Sequence, residues 1–452
     1  MPYVPNTEHD REEMLRAIGA SSMDDLFSTV PADLRTEGEL DVPGPLSEAE
    51  LVRHMRRLAS MNRTTDDVVS FLGGGVYDHS VPAVVRHVTG MPQFYTAYTP
   101  YQAEASQGTL QSIYEFQSLI CRLTGFDVAN ASMYDGASAA AEACLMAVGI
   151  KRKRKILIAS SANPALRTVS STYLEASDIE IVEIPFGPDG VTDAAALDEH
   201  IEGAAVLVVQ HPNFFGLLEP VVELSARCEA AGALLVTSVD PLSLAVLKPP
   251  SEYGAAIAVG EGQSLGSPVG YGGPLLGFMA AGRKHVRRMP GRIIGETVDT
   301  EGRRGYVMTL QTREQHIRRE KATSNICTNQ GLVALGAAVH LSLLGKKGFR
   351  DLAVQVASKA HYAAAAVSKV AGVSLRFEGP FFREFVVDLP VDAHRVKEDL
   401  RKAGIWPGVS CGCWYEGMEK SLLISVSEKH TREDIDSLAS GLEAVLSPGG
   451  DE

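Results

Sequence analysis

Residues 205–240 decide the fold, and they read AVLVVQHPNFFGLLEPVVELSARCEAAGALLVTSVD. Two short apolar runs, residues 205–210 and 234–238, flank a helical pattern over residues 221–231. An apolar run without polar alternation is typical of a strand that is buried on both faces. The stretch therefore predicts a strand–helix–strand unit in which the two strands are parallel and the helix covers one face of the sheet.

The same alternation extends in both directions along the chain. Further short apolar strands are predicted over residues 156–160, 179–184, 255–259 and 275–279. Helices are predicted over residues 137–148, 165–175 and 193–201. Strands that alternate with helices predict an α/β fold whose large sheet is mostly parallel and covered on both faces.

Three segments are expected from this pattern. Residues 1–70 are predicted to be helical and then loosely structured, and residues 71–330 to form the large α/β domain, which begins with a long tyrosine-rich loop region. A helical stretch is expected from about residue 312 to 370. Residues 331–452, which include most of that stretch, are expected to form helices and a smaller C-terminal α+β domain. Its predicted strands are 373–377, 384–389 and 422–426, and its predicted helices are 393–403 and 431–446.

Composition excludes several classes of function. The 452 residues carry a formal charge of −14, which disfavours a nucleic-acid partner. The N-terminus lacks the features of a signal peptide, and no apolar run reaches the ~20 residues of a membrane span. Six cysteines without a C-x-x-C pair predict reduced thiols and no metal site. We therefore expect a cytoplasmic protein with no membrane partner.

One segment departs from the acidic average. Between Arg283 and Lys321, the basic segment, the chain carries eleven basic residues against five acidic ones. A local excess of positive charge is typical of a surface that meets an anion or an acidic partner. A solvated helix with favourable pairs of opposite charge is the alternative for the part that begins near residue 311.

A hydrolase-like motif follows the strand predicted at 255–259. The run Gly262-Gln263-Ser264-Leu265-Gly266 matches G-x-S-x-G, the nucleophile elbow of serine hydrolases. That elbow requires a helix directly after the serine, whereas a stretch rich in proline and glycine follows here. No Asp and His show a spacing that selects a triad. A serine hydrolase that uses Ser264 is therefore kept as the alternative function.

Polar residues at the strand ends match a different site. An enzyme of the aminotransferase-like fold binds pyridoxal phosphate with a helix N-terminus, an Asp for the pyridinium nitrogen and a Lys for the Schiff base. Candidates for the helix and strand-end positions are Asp135, Gly136, Ser138, Asn213 and Asp240. No lysine occupies the loop after the strand at 255–259. Without that amine the chain is expected not to bind the cofactor covalently.

A second set of candidates lies in the tyrosine-rich loop. Tyr95, Tyr98 and Tyr101 fall within seven residues and are followed by Gln102. Tyrosines are common in interfaces and pockets, because the ring buries apolar area while the hydroxyl keeps a polar contact. Packing of one loop against another is the alternative interpretation.

Longer segments at these positions carry a resemblance to a known family. They are YTPYQAE (98–104), VANASMYDG (128–136), PNFFG (212–216), GEGQSLG (260–266), MPGR (289–292) and REQHIRREKATSNICTN (313–329). In these segments the sequence resembles the glycine dehydrogenase (decarboxylating) family, the P-proteins of the glycine cleavage system. It is most similar to subunit 1 of the split, two-chain form, and the resemblance spans nearly the whole chain.

The resemblance accounts for the missing lysine. In the split form, subunit 2 carries that lysine in a His-Lys-Thr sequence before a glycine-rich run. Counting back eleven residues from Pro274 of the shared Gly-Gly-Pro places the lysine position at Gln263. The resemblance then implies a degenerate cofactor pocket lined by Asp135, Gly136, Ser138, Asn213, Asp240 and Ser264.

The resemblance also implies a fold, a reaction and partners. The fold is the aminotransferase-like fold type I of pyridoxal-phosphate enzymes. Pyridoxal phosphate is expected on subunit 2, and this chain is expected to be inactive alone. The complex, with two copies of each subunit, is expected to decarboxylate glycine and to pass the aminomethyl group to lipoyl H-protein. The T- and L-proteins of the system are implied as functional partners.

This chain is expected to complete the wall of the partner's active site. The implied wall or interface residues are Tyr95, Tyr98, Tyr101, Gln102, Arg313, His316, Arg318 and Arg319. The basic segment is expected to face subunit 2, the cofactor phosphate or an acidic surface of H-protein. A purely structural scaffold that contributes nothing to the site is the remaining alternative.

Overall fold

The computed structural model describes residues 6–36, 38, 40–322 and 324–447. Two units are distinguished, Met1–Arg63 and Thr64–Glu452. The first unit contains the helices α1 (Glu8–Ala17) and α2 (Glu48–Ala59), in the segment that the sequence predicts to be partly helical. Each helix begins at a capping box, with Thr7 or Ser47 as the N-cap residue. None of the described residues in this unit is buried, so the unit has no core of its own there.

The second unit contains the large sheet and the C-terminal elements. Its described residues form the strands β1 (Val69–Ser70), β2 (Val128–Ala129), β3 (Lys155–Ala159), β4 (Glu180–Ile184), β5 (Val206–His211), β6 (Leu234–Val239), β7 (Ile257–Glu261), β8 (Gly277–Ala281), β9 (Ile293–Val298), β10 (Arg304–Thr309), β11 (Ser374–Leu375), β12 (Glu384–Asp388), β13 (Ile405–Trp406), β14 (Val409–Ser410) and β15 (Ser421–Ser425). The helices are α3 (Ala83–Thr89), α4 (Pro92–Tyr95), α5 (Gln107–Thr124), α6 (Gly136–Lys151), α7 (Pro164–Glu175), α8 (Ala194–His200), α9 (Val221–Ala230), α10 (Gln315–Arg318), α11 (Gly331–Val367), α12 (Ala393–Lys402) and α13 (Arg432–Leu446).

The central sheet is mostly parallel, as the sequence predicts. Its strand order is β2-β8-β7-β6-β5-β3-β4. The strands from β4 to β7 are parallel, and β8 pairs antiparallel with both β7 and β2. In β5, Val206 and Val208 pack in the core on the α6 side, while Leu207 and Val209 pack with α8 and α9 on the other. Burial on both faces explains why the strand is apolar at every one of these positions.

The C-terminal elements form a smaller α+β layer, also as predicted. Four strands pair antiparallel in the order β11-β12-β15-β14. Helices α12 and α13 and the end of α11 supply the apolar residues that cover this sheet, among them Val396, Leu438 and Ala363. Strand β12 begins with Glu384, directly after Arg383, and both side chains are buried. The start of β12 therefore brings two charged groups into the interior.

The region between residues 290 and 330 differs from the prediction. Residues 293–309 form the antiparallel hairpin β9–β10. The start of the helical stretch expected from about residue 312 is replaced by α10, a short 3-10 turn and an extended stretch. Tertiary contacts set this conformation, because Gln330 N–H donates to the Ser132 hydroxyl and the Cys327 carbonyl accepts from Arg292. Helical propensity is a weak preference that such contacts override.

Helix α11 is long and apolar enough, by length and composition, to cross a membrane. It is kinked at Gly345 and packs against α3, α5 and α13. Leu335, Ala338 and Leu341 are buried in the core that it shares with α5. These contacts are those of a core helix, which passes the same length and composition test as a membrane span.

Candidate active site

A cavity of 360 Å³ lies at the carboxyl ends of β5, β6 and β7, and we refer to it as the strand-end cavity. Parallel α/β sheets place ligand sites at this edge, because the loops that follow the strands meet there. Three of the predicted pocket residues line it, namely Asp135, Gly136 and Asp240. The other lining residues include Tyr77, from the loop before α3, and Glu261, at the end of β7.

The N-terminus of α6 meets a carboxylate in this cavity. Asp135 is the N-cap residue, and its side chain accepts a hydrogen bond from Ser138 N–H at 2.8 Å. Glu261 Oε2 accepts from Gly136 N–H at 2.9 Å. Glu261 Oε1 accepts from the backbone N–H groups of Gln263 at 2.9 Å and Leu276 at 2.8 Å. Burial raises the pKa of Glu261, while these three hydrogen bonds act in the opposite direction.

Asp240 pairs with an arginine from the C-terminal part of the chain. Its carboxylate lies 3.3 Å from Arg383 Nη1, and the two side chains are 11% and 2% exposed. The Arg383 guanidinium also lies over the Tyr77 ring, 3.6 Å from its centroid. Glu384 accepts from the Tyr77 hydroxyl at 2.9 Å and from Gly74 N–H at 2.7 Å, and burial raises its pKa to about 7.

Gln263 does not line the strand-end cavity. Its side chain is buried and forms a two-way pair with the backbone of Tyr77: Oε1 accepts from Tyr77 N–H at 2.9 Å, and Nε2 donates to Tyr77 O at 3.0 Å. Nε2 also donates to Ser267 O at 2.7 Å. The amide therefore ties the loop after β7 to the loop before α3.

The residues in and around the strand-end cavity do not fit pyridoxal phosphate. No lysine is among the described residues that line the cavity, so none of them could form the Schiff base. The backbone N–H of Gly136, which opens the helix, already donates to Glu261, and Asp240 already pairs with Arg383. Each of the three contacts that the cofactor requires is thus missing or used within the chain.

The remaining pocket candidates, Ser138, Asn213 and Ser264, are buried but do not line the cavity. The Ser138 hydroxyl donates to Asp135 at 2.7 Å. Asn213 organises its own turn, since its side chain accepts from the N–H groups of Phe215 and Leu217 and donates to the carboxylate of Glu219. The prediction that Ser138, Asn213 and Ser264 line the pocket is not matched by this geometry.

The hydrolase alternative has no catalytic geometry. The Ser264 hydroxyl has no hydrogen-bond partner among the described residues, and a turn rather than a helix follows it. A serine nucleophile requires a base within hydrogen-bond distance and an elbow that opens a helix. The G-x-S-x-G match is a coincidence of the loop after β7, and a serine hydrolase is not supported.

A second cavity, of 270 Å³, lies under the tyrosine-rich loop, and we refer to it as the tyrosine cavity. Tyr95 and Tyr98 line it together with Asn329 and Gln330, which precede α11. Tyr95, Tyr98 and Tyr101 are 68%, 84% and 57% exposed. Large aromatic side chains that are this exposed and adjacent are typical of a surface that a partner or ligand covers.

A buried arginine joins the two loops around the tyrosine cavity. Arg292 is 5% exposed, and its Nη1 lies 3.3 Å from Thr99 Oγ1 and 3.4 Å from both Thr328 Oγ1 and Asn329 Oδ1. Its Nη2 donates to the Tyr101 hydroxyl at 3.3 Å. These partners are neutral oxygens of the two loops, so Arg292 fixes their relative position.

The predicted residues of the basic segment are placed apart from that cavity. Arg313 donates to the backbone carbonyls of Met289, Gly291 and Leu310, and burial lowers its pKa. His316, Arg318 and Arg319 are exposed, as is Gln102 of the tyrosine-rich loop. His316 Nδ1 lies 3.6 Å from Glu314, and Arg318 donates to the Thr312 carbonyl. None of these residues lines the strand-end cavity or the tyrosine cavity.

Sequence reasoning missed five residues of the two cavities and their surroundings. They are Tyr77, Glu261, Arg292, Arg383 and Glu384. One signal was available for the last two, since Phe381-Phe382-Arg383-Glu384-Phe385 places adjacent charges inside an apolar run, where burial requires partners. No group of three or more His, Cys, Asp or Glu in the described part of the chain is arranged to bind a metal ion.

Comparison with known proteins identifies the family to which this chain belongs. The family model described as glycine cleavage system P-protein matches residues 1–442. A relative from Moorella thermoacetica, named probable glycine dehydrogenase (decarboxylating) subunit 1, is 49% identical over 447 residues, which cover 99% of this chain and 100% of the relative. The crystal structure of a glycine decarboxylase (P-protein) in inhibitor-bound form superposes with a TM-score of 0.89 at 43% identity, covering 99% of this chain and 100% of that one.

A more distant structure supports the fold alone. The glutamate decarboxylase of Lactobacillus brevis has a TM-score of 0.69 at 11% identity, covering 92% of this chain and 96% of the other. The predicted aminotransferase-like fold type I is thereby confirmed. With the family model over nearly the full length and a full-length relative at 49% identity, the chain belongs to the glycine cleavage system P-protein family, among the subunit 1 chains of glycine dehydrogenase (decarboxylating).

Proposed function

We propose that this chain is the subunit of glycine dehydrogenase that does not hold the cofactor, and that pyridoxal phosphate is bound by subunit 2. The observation that carries the proposal is Gln263, which stands at the lysine position and uses its whole side-chain amide to bind Tyr77 and Ser267. The chain therefore has no amine there that could bind the cofactor covalently. Its contribution to glycine decarboxylation is made through the surface that it presents to subunit 2.

That surface is the tyrosine-rich loop with the adjacent stretch before α11. Tyr95 and Tyr98 are largely exposed to solvent, while Tyr101 is partly exposed and accepts a hydrogen bond from Arg292 through its hydroxyl. Arg292 also holds the loop against residues 327–329. Rigid aromatic side chains exclude water and position a small substrate without a large loss of side-chain entropy. In the complex these residues, with Gln102 and His316, form part of the wall of the active site.

The complex that we propose contains two copies of each subunit and acts in the cytoplasm. It receives glycine, releases its carboxyl group as CO₂ and passes the aminomethyl group to lipoyl H-protein. The T- and L-proteins then act on that product. The basic segment is the proposed contact for either subunit 2 or H-protein, because Arg318 and Arg319 are exposed in a chain that is otherwise acidic.

Substitution of Tyr98 and His316 distinguishes a chain that forms part of the active-site wall from a chain that is a purely structural scaffold. In the complex with subunit 2, Tyr98→Ala and His316→Ala are expected to lower the kcat of glycine decarboxylation on the order of ten- to a hundredfold, since a small misplacement of substrate carries such a cost. The matched control is Tyr362→Ala, which removes a partly exposed tyrosine of α11. Unchanged kcat in all three variants, with assembly intact, would show that the chain is a scaffold.

Charge reversal tests the role of the basic segment. Arg319→Glu is expected to raise the KM for H-protein or to weaken assembly with subunit 2, and the effect is expected to shrink at high ionic strength because salt screens exposed charges. The control is Arg350→Glu, an exposed arginine on α11. If both variants assemble and turn over H-protein like the wild type, neither interface role is correct.

A further inference from the structure

A group of backbone N–H donors at the N-terminus of α6, which we call the anion seat, is occupied by the carboxylate of Glu261 from the same chain. Three backbone N–H groups from three separate segments, those of Gly136, Gln263 and Leu276, converge on the carboxylate of Glu261 at 2.8–2.9 Å. Convergent backbone donors at a helix N-terminus are the usual seat for a phosphate group. We propose that Glu261 is a built-in occupant of such a seat and that it excludes phosphorylated ligands from the strand-end cavity.

The seat is narrow as well as occupied. A Cβ added at Gly136 would lie 2.9 Å from Glu261 N, so the first turn of α6 presses directly against the end of β7. A Cβ added at Gly277 would lie 2.2 Å from the carbonyl oxygen of Asp135, which places β8 equally close to the residue before α6. The two glycines therefore allow an approach that brings the three N–H groups around one small anion.

The charge of the strand-end cavity also disfavours a phosphorylated ligand. Its lining contains the acidic side chains Asp135, Asp240 and Glu261 and no Lys, Arg or His among the described residues. The charge of Asp240 is offset by Arg383, which is paired with it at 3.3 Å and lies over the Tyr77 ring. Asp135 and Glu261 add acidic groups to the wall, and a carboxylate there disfavours the binding of a phosphate dianion.

Removal of the Glu261 carboxylate is expected to allow phosphate to bind, which can be measured. In the full chain, Glu261→Ala vacates the three N–H donors and is expected to create a site for inorganic phosphate. Phosphate at 10 mM is then expected, by order of magnitude, to raise the Tm of the variant by a few degrees relative to chloride at the same ionic strength. Wild-type protein is expected to show no difference between the two salts.

The matched control is Glu142→Ala, which removes a buried glutamate from the same helix without touching the seat. This control is expected to be destabilised but insensitive to phosphate. A folded Glu261→Ala variant that does not respond to phosphate, or a Glu142→Ala variant that responds equally, would overturn the proposal. A phosphate-dependent Tm of the wild type would overturn it as well.

A second measurement uses the wild type alone and does not depend on the folding of any variant. The amides of Gly136, Gln263 and Leu276 are expected to be protected from hydrogen exchange without phosphate and to keep the same exchange rates in its presence. Slower exchange at these amides on addition of phosphate would show that the seat is open. The inference rests on the proposed function only in that this chain holds no cofactor; its test reads anion binding by the lone chain, whereas the proposed function is read from turnover of the complex.

Discussion

The buried pair of Asp240 and Arg383 gives the sharpest prediction about stability. The two charged groups lie 3.3 Å apart with exposed fractions of 11% and 2%, so solvent screens them little. At an effective dielectric constant of about 20 their attraction is about 5 kcal/mol. Removal of one partner leaves the other charge buried and unpaired, which typically costs about 3–5 kcal/mol. Arg383→Met is therefore expected to lower the free energy of unfolding by about that amount.

The two single variants are not expected to be equivalent. Glu384 lies in the same network, where Asp240 raises its pKa and Arg383 lowers it. Without Asp240, the carboxyl group of Glu384 ionises more readily and compensates the charge of Arg383. Without Arg383, two acidic groups share the site with no cation. Asp240→Asn is therefore expected to cost less than Arg383→Met, and the double variant less than the sum of the two.

Urea unfolding at pH 7, followed by circular dichroism, measures all four corners of this double-mutant cycle. A coupling energy of about 1–3 kcal/mol between the two positions is expected. The control is the surface pair Arg303–Asp299, where Arg303→Met is expected to give no measurable change because the pair is exposed. Additive effects of the single variants, with a coupling energy below about 0.5 kcal/mol, would refute the reasoning.

Three further predictions concern single positions. Burial raises the pKa of Glu384 from 4.5 to about 7, so its protonated form stabilises the fold at low pH, and that stabilisation is lost as the pH rises through about 7. Between pH 4.5 and 8, the free energy of unfolding of Glu384→Gln is expected to rise by about 3 kcal/mol relative to that of the wild type. Parallel curves of stability against pH for the two proteins would contradict this. Gly216→Ala is expected to prevent soluble expression, because its Cβ would lie 1.8 Å from the Glu384 carbonyl oxygen. Gly203→Ala is the control, since its φ of +76° carries the same left-handed strain as the +87° of Gly216 but its Cβ meets open space; it is expected to cost about 1–2 kcal/mol and to leave soluble expression intact. Arg292→Met is expected to expose the tyrosine-rich loop to limited proteolysis and to lower turnover of the complex, with partial recovery in Arg292→Lys; unchanged cleavage would show that the loop does not depend on this arginine.

The central sheet was predictable because its strands are buried on both faces. The strand predicted at 205–210 is shifted by one residue from the observed Val206–His211, and the strand predicted at 234–238 ends one residue before the observed Leu234–Val239. Local hydrophobic pattern suffices where every side chain of a segment is inside. The hairpin β9–β10 was missed, since only Ile293, Ile294 and Tyr306 of its strands are buried and the other positions follow no such pattern.

The contacts of the candidate site were less accessible to sequence reasoning. Asp135 and Gly136 were found because they precede a predicted helix, and Asp240 because it follows a predicted strand. Arg383 is 143 residues from Asp240, and Gln263 is 186 residues from Tyr77, so no local pattern indicates these pairs. The family resemblance assigns the lysine position to Gln263, which follows β7, but only the folded chain shows that its amide binds a neighbouring loop and does not line the cavity.

We propose that this chain holds no cofactor and works only with subunit 2. The most direct measurement is the pyridoxal-phosphate content and the glycine decarboxylation rate of the lone chain, of lone subunit 2 and of the two mixed. We predict that the lone chain has no cofactor absorbance and no turnover, and that turnover appears on mixing. A lone chain that retains stoichiometric pyridoxal phosphate through gel filtration and decarboxylates glycine would contradict the account.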